Sequence, residues 1–350
     1  AAGPHFATHD PSTWPEQATG GGLWTVDALK GLAETPIPRR RPVGAVRSPP
    51  PAMTSHRTAS PSRPVGATAI GAELDASRRQ GPLKSIVVPP CPELLVRLQR
   101  ELAAPEPNLL AIASLAASDV AMGATLIRVA NSPACSTGAP VRTLGQALDR
   151  LGLSLTARTM TDFAARQALK VDHPALKGFW ERAGRQAQAL AALAVDVPGL
   201  SADLAYTYGL LCHVGMPVLL QSVRGYGATL VEAAARIDRT PVETENANHK
   251  TDHAVVGALV ARVWNLGPEL MSAIRLHHDL SALDDAGVEL PVRLLLAAGV
   301  VADHLMQPDP ESPPSAEWVR HGGAALRRLG ADDAKLGLWR QRIGATLVPA

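Results

Sequence analysis

The sequence predicts an all-α protein: two packed helical subdomains behind an N-terminal tail that does not fold by itself. Three observations predict it. Apolar residues make up 46% of the 350 positions but aromatics only 3%, and 59 positions are Ala. Such a core is built from small and aliphatic side chains, which favours closely packed helices over a β-sandwich. From Pro89 onward apolar residues recur at helical spacing, and no stretch alternates with period two between turn residues. The tail is the opposite case. Between Thr35 and Ala72 there are six arginines and no Asp or Glu, and eleven of the thirty prolines fall in residues 1–81. A segment of this kind cannot bury enough apolar surface to offset its ordering entropy.

Residues 1–82 are therefore expected to form a disordered Pro/Arg-rich tail. The next segment, 83–172, reads as a bundle of short helices. Pro92 suits a first helical position, and Leu94, Leu95, Leu98 and Leu102 follow as one apolar stripe. Asn108 can cap a second helix with Leu109, Ile112 and Ala116 inward. Ser118 and Asp119 start a third, carrying Met122, Leu126, Val129 and Ala130. Thr143 caps a fourth, which Gly152 stops, and Ser154 opens a fifth that runs to about Lys170. After the turn at His173-Pro174 a second helical subdomain occupies 173–306, with helices over 179–195, 201–213, 229–237, 251–265, 268–278 and 291–306. Pro308, Pro310, Pro313 and Pro314 then break the chain. The C-terminal extension, 307–350, adds an amphipathic helix with Leu336 and Trp339.

Charge and motifs exclude several function classes. The net charge is +2, and after residue 82 the chain carries 25 basic and 26 acidic residues, so the small positive excess belongs to the tail. The folded part has neither a nucleic-acid nor a membrane footprint. Cys91, Cys135 and Cys212 are far apart and odd in number, which argues against a disulfide framework or a CxxC site and makes a reducing cytoplasm the expected compartment. The apolar stretch from Leu204 to Leu220 is interrupted by His213 and Pro217, so no transmembrane segment is expected. Phosphate-binding loops, a dinucleotide fingerprint, a nucleophile elbow and HExxH are all absent. What remains in the second subdomain is His213, His253, the pair His277-His278, and Asp303. Imidazoles and a carboxylate drawn from several helices are the way a helical metal site is built.

These residues sit inside a longer pattern. It runs Pro89-Pro90-Cys91-Pro92-Glu93-Leu94-Leu95, Ser118-Asp119, Leu126 through Ser132, Gln146-Ala147-Leu148 and Leu151-Gly152-Leu153. It continues through Phe179-Trp180, Gly209-Leu210-Leu211, Gly215, Val218-Leu219-Leu220, Asp252 through Ala258, Trp264-Asn265-Leu266, Ile274, His277-His278 and Ala302-Asp303. In this order, over about 86–306, it resembles an HDOD domain. The resemblance implies that 83–306 is one such domain, its second half similar to the HD superfamily of metal-dependent phosphohydrolases. Those enzymes gather a His, an adjacent His-Asp dyad, further histidines and a final Asp around metal ions. Matched position by position, Arg182 stands where the first His would be and Cys212-His213 where the dyad would be, while His253, His277, His278 and Asp303 are retained. The Gly-Tyr-Pro element of the cyclic di-GMP phosphodiesterases is replaced by Asp279-Leu280-Ser281.

The substitutions have consequences that do not depend on the resemblance. An imidazole cannot supply the charge of a bridging carboxylate, and Arg182 puts a permanent cation at a ligand position. Cys212 is expected as a buried thiol, and His213 as a helix-end residue. His253 is expected to hydrogen-bond in the first turn of its helix, with His277 and His278 at a helix end. Asp303, in an apolar helix, needs a partner, and is expected to pair with His253, His277, His278 or Arg182. If a metal binds, the expected ligands are His253, His277, His278 and Asp303, with Mn, Fe or Zn as the ion. The function expected is non-catalytic bacterial signal transduction through a protein partner, without cofactor, membrane or nucleic acid. Two other readings follow from the same residues: a residual metal-dependent phosphohydrolase acting on nucleotides or cyclic di-GMP, and a nucleotide receptor using Arg182.

Overall fold

A computed structural model describes residues 66–135, 138–236, 238–307 and 313–346. The expectation of disorder for residues 1–65 lies outside the described residues. Among the described residues all regular structure is helical, and the helices pack around two apolar cores.

The first core belongs to α2 (Glu93–Leu102), α3 (Leu109–Ala117), α4 (Val120–Ala130) and α5 (Leu144–Ala168) as far as Met160. Their caps are those the sequence sets. Asn108 accepts from the backbone N–H groups of Leu110 and Ala111, and Asp119 from those of Ala121 and Met122. Thr143 and Gln146 close a reciprocal capping box. Pro92 is the N-cap of α2, one position outside the helix. At Gly152 the backbone turns to φ 67° and ψ 179°, a conformation that favours glycine. The expected fourth and fifth helices are thereby the two arms of one bent element. The first arm closes this core; the second adds Ala157 and Met160 to it and then, through Ala164 and Ala165, enters the other.

The second core is larger. It takes in α6 (Phe179–Ala194), α7 (Ala202–Leu211), α8 (Gly215–Ser222), α9 (Tyr226–Ala235), α11 (His253–Val263), α12 (Pro268–Leu276) and α13 (Leu290–Leu305), with α10 (Pro241–His249) packed on α9 and α11. Helix α13 is the central member, with Leu295, Ala297, Ala298, Val301 and Ala302 fully buried. Helices α8 and α10 have no counterpart in the periodicity reading. The start of α10 is nonetheless written locally, since Thr240 caps it, Pro241 opens it and Glu243 completes a capping box.

Two terminal segments correct the expected organisation. The folded part begins before residue 83: Gly66–Gln80 forms α1, with Ile70 and Leu74 fully buried. Averaging composition over the Pro/Arg-rich segment hid this one i, i+4 apolar pair. Arg275 grips Glu73 and Arg262 grips Asp75, each with a shortest N–O distance of 2.7–2.8 Å, so α1 is fixed on α12 and α11. The C-terminal extension contributes two helices where one was expected, α14 (Ala316–Leu329) and α15 (Asp333–Thr346). The expected Trp339 anchor is buried, and its Nε1 donates to Asp196 at 3.0 Å. No single helix among the described residues is long and apolar enough to cross a membrane.

Candidate functional site: a cluster of four imidazoles

The ends of three helices meet at one point. Helix α7 runs into Cys212 and His213, α11 begins at His253, and α12 runs into His277 and His278. Close backbone approach makes this meeting possible. A Cβ at Gly215 would fall 2.0 Å from the His253 carbonyl oxygen, so only glycine lets α8 and the segment before it lie against α11. The first turn of α11 is fixed by Asp252, which accepts from the Val255 N–H at 2.9 Å and from the Asn246 amide.

His213, His253, His277 and His278 each present one ring nitrogen to a common point, all within 4.8 Å of one another. His253 Nε2 lies 3.3 Å from His213 Nδ1, 3.3 Å from His277 Nε2 and 3.1 Å from His278 Nε2. The outward nitrogens of three rings are spoken for by acceptors. His253 Nδ1 faces the Glu245 carboxylate at 2.8 Å, His277 Nδ1 donates to the Ile274 carbonyl at 2.7 Å, and His278 Nδ1 faces Glu317 of α14 at 3.3 Å. An acceptor at Nδ1 places the ring proton there and leaves the lone pair on Nε2. The fourth ring differs, because His213 Nε2 is buried without a partner among the described residues.

Electrostatics act on the rings unequally. Burial, with the neighbouring imidazoles adding to it, holds His213 and His277 well below the ordinary histidine value. Burial presses His253 the same way, but the Glu245 carboxylate outweighs it and the net shift is upward. Glu245 and His253 are both completely buried, and Glu245 also accepts from the Tyr226 hydroxyl at 2.7 Å and the His253 N–H at 2.8 Å. Burial opposes ionisation of Glu245; His253 and Tyr226 more than offset it, so its pKa falls below the usual value.

The remaining expected site residues stand apart from the cluster. Asp303 does not pair with a histidine or with Arg182: its Oδ1 accepts from Gln186 Nε2 at 3.1 Å, while Gln186 Oε1 accepts from Cys212 Sγ at 3.4 Å. The amide of Gln186, one helical turn beyond Arg182 on α6, satisfies the acid and the thiol together. Burial, reinforced by Glu317, pushes the Asp303 carboxyl up to about 7. Burial also raises the Cys212 thiol well above its usual value, which makes it unreactive. Arg182 Nη1 donates to the Lys177 carbonyl at 2.9 Å. The expected set His253, His277, His278 and Asp303 is thus corrected by the geometry: His213 takes the fourth place. Sequence reasoning missed the two carboxylates that orient the rings. Glu245 had a signal in the Thr240-Pro241-x-Glu243 helix start, and Glu317 follows the Ser315 cap of α14.

Comparison with known proteins agrees with this architecture. A protein of undescribed role from Treponema pallidum is 27% identical over 195 residues, which are 55% of this chain and 38% of that protein. A Marinobacter aquaeolei protein assigned to signal transduction shares the fold with a TM-score of 0.62 at 21% identity, over 80% of this chain and 65% of the other. An HDOD domain protein of unknown function from Geobacter sulfurreducens gives a TM-score of 0.61 at 20% identity, over 80% and 96% of the two chains. This chain therefore spans less than two thirds of the first two relatives. The sequence profile of the HDOD domain matches residues 88–280, more than half of the 350 residues, and the chain belongs to the HDOD family.

Proposed function

We propose that this chain is a non-catalytic regulatory protein that works through protein contacts of its HDOD domain. Membership of the family supports the regulatory role. The observation that carries the non-catalytic reading is that, among the described residues, no carboxylate joins the four imidazoles at their common point. Hydrolysis of a phosphoester at a metal centre needs a water activated by the ion and, in two-metal sites, anionic oxygen ligands that hold both ions. Here the dyad position holds His213, Asp303 is turned to Gln186, and Glu245 and Glu317 approach the rings only from behind. The contact face in this reading is on the N-terminal bundle, where Leu110 on α3 and Val120 on α4 are 78% and 89% exposed.

The test is a hydrolysis screen of the full chain against cyclic dinucleotides and nucleotides with Mn, Fe or Zn supplied, run beside affinity capture of partners with the same chain. The reading expects no turnover, and a captured protein that is lost when Leu110→Asp and Val120→Asp are combined. Metal-dependent turnover that disappears in His277→Ala would overturn it.

A further inference from the structure

We infer that His213, His253, His277 and His278 form a closed site for one imidazole-preferring transition-metal dication, Zn2+ being the best match, and that Glu317 links this site to the C-terminal helix α14. This goes beyond the regulatory reading and does not depend on it.

Proton accounting carries the argument. With Nδ1 protons directed at Glu245, the Ile274 carbonyl and Glu317, the Nε2 lone pairs of His253, His277 and His278 point at one another across 3.1–3.3 Å. His213 Nδ1 can give a proton to only one of them. Facing lone pairs repel unless a cation lies between them, and a single proton on His253 Nε2 would serve one of its two Nε2 neighbours and leave the other facing it. Geometry supplies the second argument. A tetrahedral ion with Zn–N bonds near 2.0–2.1 Å has ligand–ligand edges of about 3.3–3.4 Å, close to the three distances at His253 Nε2 of 3.1–3.3 Å.

The surroundings fit an ion as well. Acceptors behind the rings set both tautomer and orientation, the arrangement by which metal-binding histidines are held. Glu245 and Glu317 bring two negative charges within one imidazole of the centre, against the single positive charge of Arg182 nearby. An all-nitrogen set selects Zn, Ni or Cu over Mg or Ca. Four protein ligands leave no coordination position open, which is the form of a structural site and not of a hydrolytic one.

Glu317 gives the site a reach beyond the part that matches the family. Residues 88–280 carry all four rings, but Glu317 lies in the first turn of α14. The same turn carries Trp318, stacked on His304 of α13 with ring centroids 3.8 Å apart, and Arg328 further along donates to the Leu283 carbonyl at 2.8 Å. Loading the site orders His278, and through it the carboxylate that seats α14.

The experiment uses the full chain, stripped with a chelator and titrated with Zn2+ and with Co2+ as a spectroscopic probe. One ion per chain is expected, with the intense visible absorption of tetrahedral Co2+, bleached by Zn2+. Glu317→Gln should weaken Zn2+ binding about 10- to 100-fold and abolish Zn2+-dependent slowing of amide exchange in 316–329. His213→Ala and His278→Gln, each checked for native helicity, should lose the Co2+ spectrum. Absence of stoichiometric uptake by the folded chain overturns the site, as does unchanged affinity in His213→Ala or His278→Gln. Unchanged exchange in α14 on loading overturns the link to Glu317. Turnover by the loaded chain would overturn the non-catalytic reading and the closure of the site, whereas failed uptake without turnover would overturn the site alone.

Discussion

The N-terminal bundle and the second subdomain are built from the same small and aliphatic residues, yet they hide different things. In the core of α2–α5 the buried side chains are almost all apolar, and Thr156 and Thr159 are its only fully buried polar residues among the described ones. The second subdomain encloses Gln186, Thr229, Thr244, Glu245, Thr251, Asp252, His253 and Ser272. Burying such groups is costly unless each finds a partner. Four of them gather at the helix ends that carry the histidines: Glu245 holds His253, Asp252 caps the helix that His253 begins, and Gln186 accepts from Cys212 beside His213. The first subdomain is maintained by packing and caps, the second also by these buried polar contacts.

Removing the buried acid breaks the comparison hardest. Glu245→Ala strands His253 and Tyr226 in the core, and breaking a buried pair in this way costs about 3–5 kcal/mol, read from urea unfolding monitored by helicity. The matching change in the other subdomain is Leu126→Ala, at a fully buried position. It should cost about 2–4 kcal/mol through lost burial and a residual cavity while leaving Co2+ binding at the histidines unchanged. Equal damage to Co2+ binding from both substitutions would mean that the two cores are not separable.

A smaller effect concerns pH. The folded Asp303 carboxyl is raised to about 7 from an ordinary value of 3.8, so the unfolded chain loses this proton first. The associated stability is complete below about pH 3.8 and is lost as pH rises toward 7. Asp303→Asn removes that dependence, and its stability relative to the parent should rise between pH 4 and pH 8 by up to about 2 kcal/mol, given the partial exposure of the side chain. A difference that stays constant across this range would show that the carboxyl is ionised in the fold. Smallest is Thr143→Ala, which opens the capping box of α5 and should cost about 1 kcal/mol.

The same contrast explains what was legible in the sequence. Asn108, Asp119, Thr143 and Gly152 act on neighbours within a few residues, so local rules find them and the first subdomain is read nearly complete. His253, His277 and His278 were legible as candidates because they lie at helix ends within a recognisable pattern. Their meaning was not, because it depends on partners brought together by the fold. Asp303 sits 117 residues from Gln186, and His278 sits 39 from Glu317. No periodicity reports that a glutamine will satisfy an acid assigned to a histidine. His213 reads in the sequence as a helix-end residue for a similar reason: its Nδ1 meets His253 Nε2 across 40 residues, where Gly215 lets the backbones approach.

The central claim, that this site has exchanged the chemistry of a hydrolase for a closed cluster of imidazoles, rests on His213 standing where a carboxylate would. The most direct measurement is phosphodiester turnover by the metal-loaded full chain, assayed beside His213→Asp, which restores the carboxylate to the dyad. The account expects no turnover above buffer from the parent chain, whatever the variant does. Metal-dependent hydrolysis by the parent above buffer, at any rate relative to His213→Asp, would contradict it.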